Sequence, residues 1–449
     1  MPTNFLLRVV TRTNQIIIYF IIAFLISHSG KALGQAAFYD TIIENVPLKT
    51  LPEKPVLSDY VSFGLTNNPK IQAAYQNYKS EYEKINSTSK LPDPVLSLGY
   101  FVKSIETAVG PQEYKLGLMQ PLPFFGKLNL KGDIQSIRAR TAYQNLSKQM
   151  NVQRYKIKST YYDYYYLKSA IEITRNQIQL LEQWEGQIET KFKTGKSSYP
   201  DLIKTQIELV KLKDNLKSLL DQRQVITAKF KALLNTESLK NIHITEDFKI
   251  DHPDTTQNYF GQIKKYNPDF QNSRNAVKIQ EKSLKLAKLG HYPDFGVGLD
   301  YIFTGNKYTS TGAKVSESGK DPLVVKFSIS LPIWWKKTQS KVKAAEFNRQ
   351  EAIQNQTNLE NTLSAEMVDI INTMQDKFRR FELYQNELIP KSLQLLKVTE
   401  TAYLNGSADF MSLIDAQRRH LELTLNLKES KAEYLKSRAA LEKLIGRTL

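Results

Sequence analysis

Two copies of one unit make up the chain, and this internal repeat constrains its fold more than any other sequence feature. Five landmarks of the first half recur in the same order in the second half. They pair Asn68-Pro69 with Asn267-Pro268, Pro92-Asp93 with Pro293-Asp294, Leu122-Pro123 with Leu331-Pro332, Gly195 with Gly406, and Leu234 with Ile445. Their spacing grows from 199 to 211 residues, mainly where the second copy has a longer loop at 305–321. We therefore predict tandem repeats at about 57–235 and 255–446.

Each repeat has the same order of predicted elements: a helix, two strands, a long helix and a final helix. The strands are expected at about 94–103 and 113–122, and at about 295–304 and 323–331. The long helices are expected at 126–194 and 198–235, and at 336–404 and 408–446. A linker at 37–56 precedes the first repeat, and a connector at 236–254 joins the two.

The predicted strands alternate between apolar and polar residues. Val325, Phe327 and Ile329, for example, alternate with Lys326 and Ser328. Period-two alternation predicts strands with two different faces, and their length suits a tilted membrane strand with a lipid side and a wet side. A soluble antiparallel sheet with one solvated face has the same pattern, so the strands alone leave both readings open. Aromatic residues that could form a membrane-interface belt stand near the strand ends: Phe124, Phe125, Tyr292, Trp334 and Trp335.

The helices favour the membrane reading. No proline occurs between Pro123 and Pro200, so a helix over 126–194 would be on the order of 100 Å long. No compact domain holds such a rod. Leucines at 209, 212, 216 and 219 follow a heptad pattern, which is typical of coiled-coil packing.

Four strands per chain cannot close a barrel that encloses a channel, and an open sheet edge is not tolerated in lipid. Two copies would give eight strands, which is too tight for a wide passage, whereas three would give twelve. We therefore predict a mixed α/β membrane protein. It would be a homotrimer with a 12-stranded β-barrel, four strands per protomer, and long helices that pack as coiled coils.

The N-terminal 36 residues predict export. Arg8 and Arg12 precede an apolar run at 16–26, and Gly34-Gln35-Ala36 fits a cleavage site. This pattern is typical of a signal peptide, and the apolar run is too short for a membrane anchor. The chain has no cysteine, so we expect no lipidation, no disulfide and no thiolate metal site.

Composition and motifs argue against catalysis and nucleic-acid binding. The formal net charge is +17, but the lysines are spread along helical stretches, as on a solvated helix surface. The five histidines lack metal-ligand spacing, and no nucleophile, phosphate-loop or dinucleotide motif occurs. We expect no enzyme activity, no catalytic residue, no bound metal, no cofactor and no nucleic-acid partner.

On these residues the chain resembles the TolC-type outer-membrane efflux channels of Gram-negative bacteria. The resemblance spans nearly the whole mature chain and is carried by the duplicated unit and three stretches. These are Leu91-Pro92-Asp93-Pro94, Gln120-Pro121-Leu122-Pro123-Phe124-Phe125-Gly126-Lys127, and Tyr403-Leu404-Asn405-Gly406 followed by Asp415-Ala416-Gln417. The combination of Val109-Gly110-Pro111-Gln112 with Pro123-Phe124-Phe125-Gly126 is similar to the heavy-metal-efflux branch.

The resemblance implies an exit duct in which the trimeric 12-stranded β-barrel in the outer membrane is continued by a long coiled-coil helical barrel across the periplasm. A periplasmic adaptor (membrane fusion) protein and an inner-membrane pump would open it, and metal cations or drugs would be its cargo. Adaptor docking is implied at the helix-pair tips, which carry Gly195, Lys196, Leu404, Gly406 and Ser407. The first tip has a lysine after its glycine where the family usually has a small or apolar residue, which leaves the identity of its adaptor open.

A periplasmic gate is implied at Asp415, Asp409 and Asp201, with Lys204 or Lys196 as the cation that pairs with Asp409 or Asp415 in the closed state. Threefold symmetry would bring three copies of Asp415 into one ring that attracts cations and repels anions. Alternatively, these acids have no gating role and are simply found in the first turns of helices, where the helix dipole favours a negative charge. Two other functions stay open at this point: a soluble periplasmic coiled-coil adaptor or scaffold without a pore, and an outer-membrane enzyme, for which we find no catalytic cluster.

Overall fold

A computed structural model describes residues 50–195, 197–239, 241–245, 248, 250–254 and 257–449. The predicted signal peptide and most of the predicted N-terminal linker lie outside these residues. The first repeat begins with helices α1 (Leu57–Asn67) and α2 (Pro69–Ser89), followed by strands β1 (Val95–Thr107) and β2 (Gly110–Leu122). Two long helices follow, α3 (Lys127–Lys193) and α4 (Tyr199–Leu234).

The second repeat follows the same order. Helices α5 (Tyr259–Tyr266) and α6 (Pro268–Lys288) are followed by a short 3-10 turn (Leu289–His291), then by β3 (Asp294–Thr304) and β4 (Leu323–Ser330). Three helices complete it: α7 (Trp335–Leu383), α8 (Ile389–Leu404) and α9 (Phe410–Ile445). None of the described helices is both long enough and apolar enough to cross a bilayer.

A π-helical turn, Tyr384–Leu388, joins α7 to α8 within the stretch 336–404 that the sequence predicts as one long helix. Pro390 lies at the start of α8. A proline inside a helix lacks the N–H for the regular ladder, and its ring clashes with the carbonyl four residues earlier. A wider turn just before the proline removes that conflict and keeps the chain helical.

The four strands form one antiparallel sheet in the order β1-β2-β3-β4. The β-hairpins of the two repeats therefore lie side by side, and β2 of the first repeat pairs with β3 of the second. In register, Leu98 lies opposite Leu116, which lies opposite Tyr301 on its other side. These residues share a face, which gives the sheet the two-faced character that its alternation predicts.

The ends of the two repeats are built alike. Asn68 and Asn267 each accept backbone N–H groups at the start of the proline-led helices α2 and α6. The final helices α4 and α9 end at residues with left-handed backbone, Asn235 (φ 52°) and Gly446 (φ 94°). Asn235 Nδ2 donates to Asn67 O at 3.2 Å. In the second repeat, a Cβ added at Gly446 would lie 2.5 Å from Tyr266 O, so this close approach requires glycine.

The helices bury two apolar clusters at different heights. The larger contains Tyr60, Ile157, Tyr161, Phe230 and Leu441 and lies where α1, α3, α4 and α9 meet. The tyrosine-rich stretch of α3 belongs to it: Tyr161, Tyr162, Tyr164 and Tyr165 are all buried. The smaller cluster lies towards the helix-pair tips and includes Trp184, Ile188 and Leu413.

Candidate functional site: the two faces of the sheet and the helical tips

One face of the sheet is apolar and exposed. Its side chains include Leu98, Tyr100 and Val102 of β1, Leu116 and Leu118 of β2, and Val325, Phe327 and Ile329 of β4. Phe327 is 78% exposed and Val102 87% exposed. A sheet that packed on its own helices would bury this face. An exposed apolar face of this kind marks a surface that meets a membrane or another protein.

Polar and small residues gather on the opposite face. Ser97, Gly117 and Asp300 lie in one row across β1, β2 and β3. Lys115 lies one row away on β2 and Lys326 on β4, and both ammonium groups pair with the Asp300 carboxylate. This face suits contact with water.

Both outer edges of the sheet are open. Within the described residues, β1 pairs only with β2 and β4 pairs only with β3. The free edges therefore present unpaired backbone N–H and C=O groups, which need a partner wherever water is absent.

The predicted interface aromatics lie at one end of the sheet. Phe124 stacks on Tyr292 with ring centroids 4.6 Å apart and an interplanar angle of 12°. The backbone N–H of Phe124 also donates to Asp294 Oδ1 at 2.7 Å, which joins the two repeats here. Phe125, Tyr292, Trp334 and Trp335 are exposed, so the structure places the five aromatics together at the junction of sheet and helices.

At the opposite end of the long helices are the two tips. Gly195 (φ 70°) and Gly406 (φ 74°) have left-handed backbone, and a Cβ at either would have no neighbour within 4 Å. Backbone conformation rather than crowding therefore requires glycine at both turns. Ser407 donates twice to Ala402 O, from its N–H at 2.8 Å and from its hydroxyl at 3.0 Å. Leu404 is exposed, while Lys196 lies outside the described residues.

The predicted gate acids have different local roles in the single chain. Asp409 caps α9 and accepts hydrogen bonds from Ser412, from its N–H at 2.9 Å and from its hydroxyl at 2.5 Å. These bonds lower the pKa of Asp409. Asp201 accepts from Ser198 Oγ at 2.7 Å near the start of α4. Asp415 is exposed and lies 3.4 Å from Arg418 Nη1.

Lys204 does not form an ion pair with Asp409 or Asp415 among the described residues, although its charge contributes to the lowered pKa of Asp409. Arg418 is the cation beside Asp415, and it also holds Glu208. Sequence reasoning missed this pair. The available signal was opposite charge at nearly equivalent positions, 13 residues after Gly195 and 12 residues after Gly406.

Comparisons with known proteins agree with this geometry. Residues 260–447 match the family model described as outer membrane efflux protein, whereas no curated protein matches the chain by sequence. The fold is similar to that of CusC, with TM-score 0.74 and 14% identity, covering 89% of this chain and 94% of that one. VceC of Vibrio cholerae gives TM-score 0.71 and 16% identity, covering 87% and 96%. The Campylobacter jejuni outer membrane channel CmeC gives 0.68 and 15%, covering 87% and 85%.

Proposed function

Because residues 260–447 of this chain form an outer membrane efflux protein domain and the fold is that of TolC-type channels, we propose that the protein is a passive exit duct of the outer membrane in a tripartite efflux system. The resemblance recognised in the sequence is confirmed. The duct itself consumes no energy, which its partners supply.

The sheet carries this proposal. Its exposed apolar face suits lipid acyl chains, and each exposed apolar side chain gains free energy when it leaves water. Its two open edges, β1 and β4, cannot remain unpaired in lipid. Pairing β1 of one protomer with β4 of the next satisfies both edges. Three copies then close twelve strands around a lumen wide enough for solutes.

The helices extend the duct. Helix α3 has 67 residues, a length on the order of 100 Å, and it packs along α4 and α9. Apolar side chains such as Phe347, Val210 and Val398 remain exposed on the helices of the single chain. Neighbouring protomers of a helical barrel would cover such residues, so the trimer accounts for them as well as for the sheet edges.

The tips are the proposed contact sites for the partners. Gly195 and Gly406 end helix pairs at the end of the molecule furthest from the sheet, where an adaptor linked to an inner-membrane pump can reach them. Leu404 and Ser407 flank the second turn and extend the proposed docking surface, and Lys196, which follows Gly195 in the sequence, remains a candidate contact. Asp415, with Asp409, Asp201 and Lys204 nearby, is the proposed gate, since three copies of an exposed carboxylate repel one another when brought together.

A soluble periplasmic scaffold is not favoured, because it would leave the apolar face of the sheet in water. The family and the fold are those of channels rather than of known enzymes.

Ion conductance across a planar bilayer tests the function. Protein purified in detergent should insert and give a small conductance that prefers cations, and Asp415→Ala should raise it. Asp376→Ala is the matched control, because Asp376 is an acid of α7 that pairs with Arg379 and Arg380 on the same helix. An unchanged conductance in Asp415→Ala would place the gate elsewhere. Failure of the wild-type protein to insert, with recovery in the aqueous fraction, would contradict the channel.

A further inference from the structure

Two lysines and one aspartate form a charged cluster on the polar face of the sheet. This cluster is separate from the proposed gate. Asp300 of β3 is only 4% exposed. Its Oδ2 atom lies 2.7 Å from Lys115 Nζ of β2 and also contacts Lys326 Nζ of β4. One carboxylate therefore binds two ammonium groups, and the cluster keeps a net positive charge.

Strand register explains why Asp300 reaches both lysines. Asp300 lies directly opposite Gly117 on one side and Val324 on the other. Lys115 and Lys326 are each two residues from those partners, so both are diagonal neighbours of Asp300, close enough for long side chains to touch. The two ammonium groups thus approach the carboxylate from two different strands.

The absence of a side chain at Gly117 leaves room for the Asp300 carboxylate. A Cβ at this position would lie 2.6 Å from Asp300 Oδ1 and 2.6 Å from Ser97 Oγ. Without a side chain at 117, the Asp300 carboxylate can lie flat over β2 and reach Lys115. Its negative charge is thereby buried in the floor of the sheet, while the lysines stay partly open, with side chains 35% and 37% exposed.

We propose that Lys115 and Lys326, held in place by Asp300, form an anion-attracting site in the lumen of the barrel. This inference rests on the proposed channel, which places the polar face of the sheet around the lumen. Each protomer contributes one excess positive charge, so a trimer carries three such clusters at one height of the barrel. The site would favour chloride, or the carboxylate or phosphate group of a passing solute, at the end of the duct opposite the acidic gate.

The chloride-to-potassium permeability ratio tests this site, and it can be obtained from the reversal potential in a KCl gradient. The Lys115→Gln/Lys326→Gln variant should lower the ratio by about twofold or more near 0.1 M salt, where the screening length is about 10 Å. Asp300→Asn should raise the ratio, because it removes the only negative charge of the cluster. Opposite shifts in the two variants would not arise from a merely structural disturbance.

Three further variants complete the design. Lys115→Arg/Lys326→Arg keeps both charges and should retain the wild-type ratio. Lys264→Gln removes a lysine that pairs with Glu360 in the helical region and should leave the ratio unchanged. The single variants Lys115→Gln and Lys326→Gln should each lower it and serve if the double variant does not assemble. Channels that conduct with an unchanged ratio in the glutamine and asparagine variants would overturn the site, whereas a wild-type protein without conductance would overturn the channel itself.

Discussion

Arg418 of α9 binds both carboxylate oxygens of Glu208 of α4: its Nε lies 3.1 Å from Oε2, and its Nη2 contacts Oε1. Lys211 adds a contact to Oε1 at 3.3 Å. The pair joins the second helix of one tip to the second helix of the other. Arg418 also lies beside Asp415. The proposed gate acid is therefore connected through Arg418 to Glu208 of the same protomer.

Glu208→Gln should lower the heat-unfolding midpoint, and a double-mutant cycle with Arg418→Gln should give a coupling of about 1 kcal/mol, since the guanidinium is half exposed. Burial alone would raise the pKa of Glu208, but hydrogen bonds from Arg418 and Lys211 outweigh it and lower the pKa. A carboxyl whose pKa is lowered by folding stabilises the protein at any pH above its pKa in the unfolded chain, which is about 4.3. This stabilisation is lost as the pH falls below that value.

The midpoint difference between wild type and Glu208→Gln should therefore stay constant at neutral pH and shrink below about pH 4. Lys211→Gln, which removes only the weaker contact, is the control and should have a smaller effect. A difference that grows on acidification would contradict this assignment.

Protonation of His420 should destabilise the protein in mild acid. The ring Nδ1 lies 2.8 Å from Ser392 Oγ across α8 and α9, and burial lowers the pKa of His420. The unfolded chain then takes up the proton first, so stability is lost as the pH falls below about 6.5. The midpoint should fall less between about pH 7.5 and pH 5 in His420→Gln than in wild type. His291→Gln, at an exposed position, should keep the wild-type fall, and equal falls in all three proteins would refute the prediction.

Gly446→Ala should be more destabilising than Gly195→Ala. Both glycines have positive φ, which costs an alanine about 1 kcal/mol. Only at Gly446 would the added methyl group also meet a backbone atom, 2.5 Å away at Tyr266 O. Heat-unfolding midpoints of the two variants measure the difference, and equal midpoints would show that the end of α9 relaxes without cost.

Tryptophan fluorescence tests the position of the interface belt. The chain has three tryptophans: Trp334 and Trp335 are exposed, whereas Trp184 is buried near the tips. In liposomes, phospholipids brominated near the headgroup end of their acyl chains should quench the wild-type emission. They should not quench Trp334→Phe/Trp335→Phe, which retains only Trp184. Unquenched wild-type emission would show that Trp334 and Trp335 do not lie at the bilayer interface.

The fold class follows from the sequence because its signals are local and repeated. Period-two alternation depends on neighbouring residues, as at Val325, Phe327 and Ile329, and the long proline-free stretches give the helices. The duplication reinforces both, since each pattern occurs twice. The strand count predicts a trimer, because four strands per chain cannot close a channel and open edges are not tolerated in lipid, and the family resemblance implies the same arrangement.

Other features depend on contacts between distant segments. The π-helical turn before Pro390 is a local feature, but a helix can accommodate a proline either through such a turn or through a kink. The contacts of the folded protein decide between the two. The Asp300 cluster requires the pairing of β2 with β3, which brings Gly117 opposite Asp300. Arg418 reaches Glu208 because α9 and α4 both pack on α3, whereas the sequence offers only opposite charge at nearly equivalent positions of the two tips.

Pairing between β1 of one protomer and β4 of the next is the central claim, and cysteine cross-linking tests it most directly. The chain has no cysteine of its own, so Leu98→Cys can be combined in turn with Val325→Cys, Phe327→Cys or Ile329→Cys, all on the apolar face. Oxidation in membranes should link at least one combination into a covalent trimer, and Leu98→Cys alone should stay monomeric on a denaturing gel. Monomers alone in all three combinations would contradict closure of the barrel by three copies.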